Sequence, residues 1–232
     1  PVGLEDLGMA PDLFERFRTL AARPHGILLV TGPTGSGKTT TLYAALALRD
    51  RAAEKIITVE DPIEYELAGI TQVPVHEKAG MTFAKALRSL VRHDPDVLMI
   101  GEMRDEETAD IAVRSAMTGH LVFSTLHTND ALGAVPRLVD LKVPPYLVAA
   151  TVDAVLAQRL VRRTCGECRT RYRPDPASVA LLAERPVGKV SLERGAGCAA
   201  CRGTGYRGRT GIFELLVFTE ELRAAFSKST HR

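Results

Sequence analysis

Gly32-Pro33-Thr34-Gly35-Ser36-Gly37-Lys38-Thr39-Thr40 is the stretch on which the reading of this 232-residue chain turns. It fits the spacing G-x-x-x-x-G-K-[ST]. A short apolar run, Ile27 to Val30, precedes it, and Lys38 to Arg49, free of Gly and Pro, follows it. Apolar run, turn and helix in that order are the context that makes the spacing meaningful. Gly35 and Gly37 let the backbone curl so that several N–H groups converge on a phosphate. The helix opening at Lys38 adds the positive end of its dipole. Lys38 has the reach for the β- and γ-phosphates of ATP, and the Thr39 hydroxyl suits Mg²⁺. Thr40 extends the helix start. The competing reading, a glycine-rich turn with a chance lysine, leaves the flanking strand and helix unexplained.

The rhythm continues outward from the loop. Helices are expected over Pro11 to Ala22, Thr82 to Arg92 and Asp105 to Met117. Buried strands are expected at Ile56 to Val59, Val97 to Ile100 and Leu121 to Leu126. Apolar runs of four to six residues alternating with helices imply an α/β fold with a mainly parallel sheet covered on both faces. Ligands bind such sheets outside the carboxyl ends of the strands, and acids cluster there. Glu60, Asp61 and Glu64 follow the second strand, where Pro62 restricts Asp61 to extended geometry. They suit Mg²⁺-bound water and an attacking water; the alternative is a solvated turn. Glu102 closes the third strand in the manner of a Walker B segment, with Gly101 where an Asp is usual. Arg104 could pair with Glu102 or meet phosphate, and a surface ion pair is the plain alternative. His120 and His127 bracket the fourth strand and could sense the γ-phosphate through nearby Thr and Asn side chains; a lone histidine is more often structural.

The four cysteines form two CxxC pairs, Cys165/Cys168 and Cys198/Cys201, separated by 29 residues. Two such turns suit a Cys₄ zinc site, fully ligated and therefore structural. The competing readings are redox pairs and two unrelated turns; redox pairs usually open a helix, and neither pair does so. Gly, Pro and Arg become frequent near Cys165. The expected organisation is a core over residues 1–163 and a zinc module with a C-terminal segment over 164–232. Arg159, Arg162, Arg163, Arg169, Arg171 and Arg173 crowd the first pair. They form either a solvated face or a contact for anionic lipid or an acidic partner.

Composition bounds the rest. Hydrophobic residues are 45% and charged residues 25%, an ordinary globular mix that excludes disorder and collagen-like repeats. A formal net charge of +2 and 5% aromatics give no support to a general nucleic-acid binder. The longest stretch without Asp, Glu, Lys or Arg, Ser115 to Asn129, is too short to span a bilayer.

Six stretches carry a resemblance. They are Thr31 to Tyr43, Val59 to Glu64, Asp94 to Asp105, Thr118 to Ala131, Gln158 to Arg163 and Gly205 to Glu214. In this order they resemble the secretion ATPase superfamily, the motors of type II secretion and type IV pili. The resemblance runs from Leu4 to about Leu222 and implies a RecA-like P-loop NTPase core. It also implies a hexamer in the cytoplasm, peripheral to the bacterial inner membrane. There it would dock on a platform protein and associated membrane linker proteins, without direct nucleic-acid contact. Carried over by position, Lys38 and Thr39 serve the phosphates, and Glu60, Asp61 and Glu64 form the Asp box. Glu102 is the Walker B acid, and His120 with His127 the His box. The tetracysteine motif belongs to assembly-type members, so retraction is not expected. Gly208 to Leu216 leans towards type II secretion over pilus assembly. A nucleic-acid motor for DNA uptake or conjugation is the rival. Family members carry an N-terminal domain that supplies arginines to the nucleotide, and further C-terminal helices. This chain begins at Pro1 and is expected to be a piece trimmed at both ends, weakly active alone.

Overall fold

A computed structural model describes residues 2–180 and 191–229. Helix α1 (Pro11–Ala21) precedes strand β1 (Gly26–Thr31), and α2 (Lys38–Ala47) follows it. Next come β2 (Ile56–Glu60), β3 (Thr71–Pro74), α3 (Phe83–Leu90), β4 (Val97–Ile100), α4 (Glu106–Met117) and β5 (Leu121–Leu126). Two short helices, α5 (Ala134–Asp140) and α6 (Pro145–Thr151), lead to the long strand β6 (Val152–Thr164). Beyond it lie β7 (Arg169–Tyr172), α7 (Pro176–Ala180), β8 (Leu192–Gly195), β9 (Tyr206–Val217) and α8 (Glu220–Ser229).

Among the described residues seven strands form one sheet in the order β3-β2-β4-β5-β1-β6-β9. The pairs β1/β5, β1/β6, β2/β3, β2/β4 and β4/β5 are parallel. The sheet is thus mostly parallel, as the alternating pattern implies. Alternation within each strand explains the two cores, because successive side chains point to opposite faces. Ile27 and Leu29 face one core with Phe83 and Leu87 of α3 and Val113 of α4. Leu28 and Val30 face the other with Phe17 of α1 and Leu42 and Leu46 of α2. Every residue of β1, β2, β4 and β5 is buried, so those strands read as mainly apolar runs, with Thr31, Thr58, Glu60, Ser124 and Thr125 as their buried polar positions. Caps mark the helix starts: the Thr82 hydroxyl accepts the Lys85 N–H at 3.2 Å, and Asp105 accepts that of Thr108 at 2.8 Å.

The chain divides into two compact units, residues 1–159 with 211–232, and residues 160–210. The sequence alone implies one boundary, at 163/164. That boundary places 211–232 with the cysteines, whereas Phe213, Leu215 and Val217 pack on the α1/α2 core and Phe218 on the other. Residues 160–210 contain eleven basic and four acidic residues, a net of +7, which leaves −5 for the rest. The near-neutral total conceals this separation. Among the described residues no helix is long and apolar enough to cross a membrane.

Candidate active site

The loop between β1 and α2 wraps in the manner its glycines allow. Gly32, Gly35 and Gly37 have φ of 146°, 76° and 86°, values a side chain resists. A Cβ on Gly32 would lie 2.3 Å from the Gln158 carbonyl, so the turn needs glycine there. Gly37 caps α2 without any side-chain acceptor, and the first N–H groups of the helix stay available for an anion. The Lys38 ammonium donates to the loop's own carbonyls, Gly32 at 2.9 Å and Pro33 at 3.2 Å. Burial lowers the Lys38 pKa below its ordinary value, and the charge of Glu102 partly offsets this. The Ser36 hydroxyl is buried and lacks a hydrogen-bond partner. A loop with turned-in glycines, a desolvated ammonium and an orphaned hydroxyl fits the phosphates of a nucleotide. Thr39, half-buried on the first turn of α2, has an oxygen donor of the hard type that Mg²⁺ prefers.

Glu102 stands at the carboxyl end of β4. Its Oε2 accepts Arg104 Nε at 2.8 Å, and its Oε1 lies 3.2 Å from His127 Nε2. Arg104 also reaches Asp61, with Nη1 3.6 Å from Oδ2, and its guanidinium sits over the Phe83 ring. The Arg104 pKa is raised, first by its hydrogen bond to Glu102. Lys38, Glu102, Arg104, His127 and Asp61 are thereby brought together from four strand ends. Backbone rivets hold the frame. Ser124 Oγ donates to Ile100 O at 2.8 Å, at the last β4/β5 pair, and Thr125 Oγ1 to Gly101 O at 2.7 Å, one residue beyond it, which keeps the two strands in step. The Thr31 hydroxyl lies 2.8 Å from the Thr128 hydroxyl and accepts the Thr128 N–H at 2.8 Å, tying β1 to the segment after His127. Gly101 explains the missing Walker B aspartate: a Cβ would lie 3.2 Å from Val59 O and 3.4 Å from Glu60 Cα.

Two residues of the sequence-derived set lie elsewhere. Glu60 is 2% exposed, and its carboxylate accepts from Tyr43 OH, from Thr58 Oγ1 at 2.5 Å and from Gln72 Nε2 at 3.1 Å. So enclosed, it ties α2 to β2 and β3 and has no open side for water. Burial first, then the bond to Glu60, raises the Tyr43 pKa. His120 precedes β5 and so sits at the amino end of the sheet, with Nδ1 2.8 Å from Ser115 O and 3.1 Å from Thr118 Oγ1. Six residues of strand, roughly 20 Å, separate it from His127. Glu64 is exposed on the loop after β2, beyond the cis Asp61–Pro62 bond.

Sequence reasoning gave no individual role to Gln158. It is 3% exposed on β6, accepting from Thr41 Oγ1 at 2.6 Å and donating to Ser36 O at 2.8 Å. A polar residue directly after the apolar run Ala154 to Ala157 is the signal that could have singled it out.

In the second unit the four Sγ atoms lie within 4.8 Å of one another. Cys165 to Cys198 is 3.9 Å, and Cys168 to Cys201 and Cys198 to Cys201 are 3.8 Å. These separations are far from a disulfide. They match the edge of about 3.8 Å expected for four sulfurs placed at 2.3 Å from a tetrahedral Zn²⁺. The N–H groups of Cys198 and Gly205 each reach Cys201 Sγ at 3.2 Å. Chiefly the first of these holds the Cys201 thiol down to about 6, whereas burial pushes Cys168 up to about 12. Arg162 stacks on Tyr206 at 4.0 Å, and Arg169 and Arg171 flank Glu193.

Compared with known families, residues 1–232 match the Type II/IV secretion system protein family throughout. The chain belongs to that family. Type II secretion system protein E of Pseudomonas aeruginosa is 54% identical over 227 residues, which are 96% of this chain and 44% of that protein. The type IV pilus assembly ATPase PilB of Thermus thermophilus is 49% identical over 224 residues, 96% of this chain and 25% of that one. Among solved structures of related ATPases, the pilus retraction motor PilT with bound ADP superposes with a TM-score of 0.69 at 30% identity. The match covers 98% of this chain and 56% of PilT. The chain therefore spans less than half the length of these two secretion and assembly relatives.

Proposed function

We propose that the chain is the ATP-hydrolysing core of a motor for type II secretion or type IV pilus assembly, acting in the full protein as a hexamer. The observation that carries this reading is the convergence of the Lys38 loop with the Glu102 carboxylate at neighbouring strand ends, near enough that the Glu102 charge acts on the Lys38 ammonium. Gly32 to Thr39 would hold the phosphates through N–H groups and the Lys38 ammonium. Mg²⁺, when bound at Thr39, would neutralise charge on the β- and γ-phosphates. Glu102 would orient the attacking water and take its proton, with Arg104 and His127 holding the carboxylate in place. Asp61 would act through Arg104, and Glu64 lies open to solvent. Glu60 acts as a positioning group. His120 has no contact with the loop in a single chain.

Cys165, Cys168, Cys198 and Cys201 would hold a structural zinc, closing the long excursion between β6 and β9. Identities of 49% and 54% to the assembly and secretion relatives, against 30% to the retraction motor, support assembly or secretion. The +7 charge of residues 160–210 supports peripheral attachment to an anionic inner-membrane surface on the cytoplasmic side, alongside the platform and linker proteins.

The test is ATP turnover and nucleotide binding by the full-length protein. Lys38→Ala should abolish binding and turnover, and Glu102→Gln should abolish turnover while binding persists. Undiminished turnover in both variants would overturn the assignment, and strong stimulation by DNA would favour the nucleic-acid motor instead.

A further inference from the structure

We propose that Gln158 is a positioning residue of the phosphate loop, acting through the Ser36 carbonyl. The proposal rests on the reading of residues 32–39 as a nucleotide site. Gln158 uses both ends of its amide inside the protein. The oxygen accepts from the Thr41 hydroxyl, on the first turns of α2, at 2.6 Å. The nitrogen donates to Ser36 O, in the loop itself, at 2.8 Å. The side chain is 3% exposed, so water cannot replace either bond.

The planarity of the peptide unit gives this bond a consequence. In a trans peptide the C=O of one residue and the N–H of the next point in opposite directions. With Ser36 O drawn towards β6, the N–H of Gly37 is turned away from it. Gly37 sits at φ 86° and caps α2, so its N–H belongs to the set available to an anion at that helix start. Gln158 thus sets the direction of a donor it does not touch.

Two further features agree. The backbone of Gln158 presses on the start of the loop, where any Cβ on Gly32 would come within 2.3 Å of its carbonyl. The Ser36 hydroxyl, buried and without a partner, supplies no bond of its own to hold the turn. The loop is therefore braced from β6, the strand beside β1. A glutamine suits the post, because one end must donate and the other accept.

The test measures binding of inorganic pyrophosphate and of a non-hydrolysable ATP analogue to the full-length protein, with melting temperature recorded without ligand. Gln158→Glu keeps an acceptor for Thr41 and loses the donor to Ser36. It should weaken both ligands about tenfold, a change of about 1.4 kcal/mol. Thr41→Val removes one anchor with little change of shape and should weaken both about threefold, with the melting temperature nearly unchanged. A group that only stabilises the fold would lower the melting temperature and leave pyrophosphate affinity intact. If Gln158→Glu fails to fold, Thr41→Val decides, and wild-type affinity there overturns the proposal. Wild-type affinity in both variants, with Lys38→Ala defective, also overturns it and leaves the nucleotide reading standing. Wild-type affinity in Lys38→Ala would sink that reading and this proposal together.

Discussion

His127 Nε2 lies 3.2 Å from Glu102 Oε1, and the other oxygen of the same carboxylate accepts Arg104 Nε at 2.8 Å. Both oxygens of the proposed water-orienting acid are thus engaged by side chains from its own neighbourhood. The pair depends on β4 and β5 lying side by side, with Ser124 and Thr125 pinning the two strand ends.

From that pair follows a prediction about turnover. In the full-length protein His127→Ala should lower kcat ten- to a hundredfold while the KM for ATP changes less than about threefold, because the phosphate loop is untouched. His127→Gln, which retains a donor, should recover part of the loss. Steady-state kinetics checks this, and an increase confined to KM would place His127 on substrate binding instead.

Lys38 should make nucleotide binding pH-dependent at the alkaline end. Its pKa in the folded protein lies below the ordinary 10.5, through burial. Between that lowered value and 10.5 the free loop holds a neutral amine, and arriving phosphate charge favours the ammonium. Binding in this window should take up a proton, and affinity should fall as pH rises through it. Titration calorimetry in buffers of different ionisation enthalpy reads the proton directly. Lys38→Arg, charged throughout, should abolish the uptake.

Tyr43 and Glu60 form the buried junction of α2 with β2. Tyr43→Phe removes a donor from a carboxylate that keeps Thr58 and Gln72. It should cost about 1–3 kcal/mol of stability and leave nucleotide affinity within about twofold. Denaturant unfolding with parallel binding measurements separates the two. Abolished binding without loss of stability would return Glu60 to the site.

The cysteine cluster should retain about one zinc per chain through purification. Cys198→Ser should reduce zinc content and lower the melting temperature, and a strong chelator should reproduce both effects on the unsubstituted protein. Elemental analysis decides, since a zinc-free, fully stable protein would refute the metal site.

Much of this was legible in residue order. The alternation of apolar runs with helices places β1, β2, β4 and β5 within a residue of where they lie, because each is buried along its whole length and is mainly apolar. The loop glycines, Lys38 and the two CxxC pairs declare themselves because each chemistry needs a fixed local spacing. Strand β3, half-exposed at the sheet edge with Thr71, Gln72 and Pro74 in it, carries no such pattern. Strand β6 runs from a buried apolar stretch into exposed arginines, so its length cannot be read from periodicity.

Tertiary structure alone decided which of the flagged residues meet. Glu60 and Asp61 are adjacent in sequence, yet successive side chains on an extended chain diverge, and one is buried under Tyr43 while the other faces Arg104. His120 and His127 look like a pair in one motif, but a strand between them puts them at opposite ends of the sheet. Gln158 lies 122 residues from Ser36, and only the placement of β6 beside β1 brings the amide to the loop. Local spacing encodes what one turn of backbone can do. Which distant side chains share a strand end is set by the order and register of the sheet.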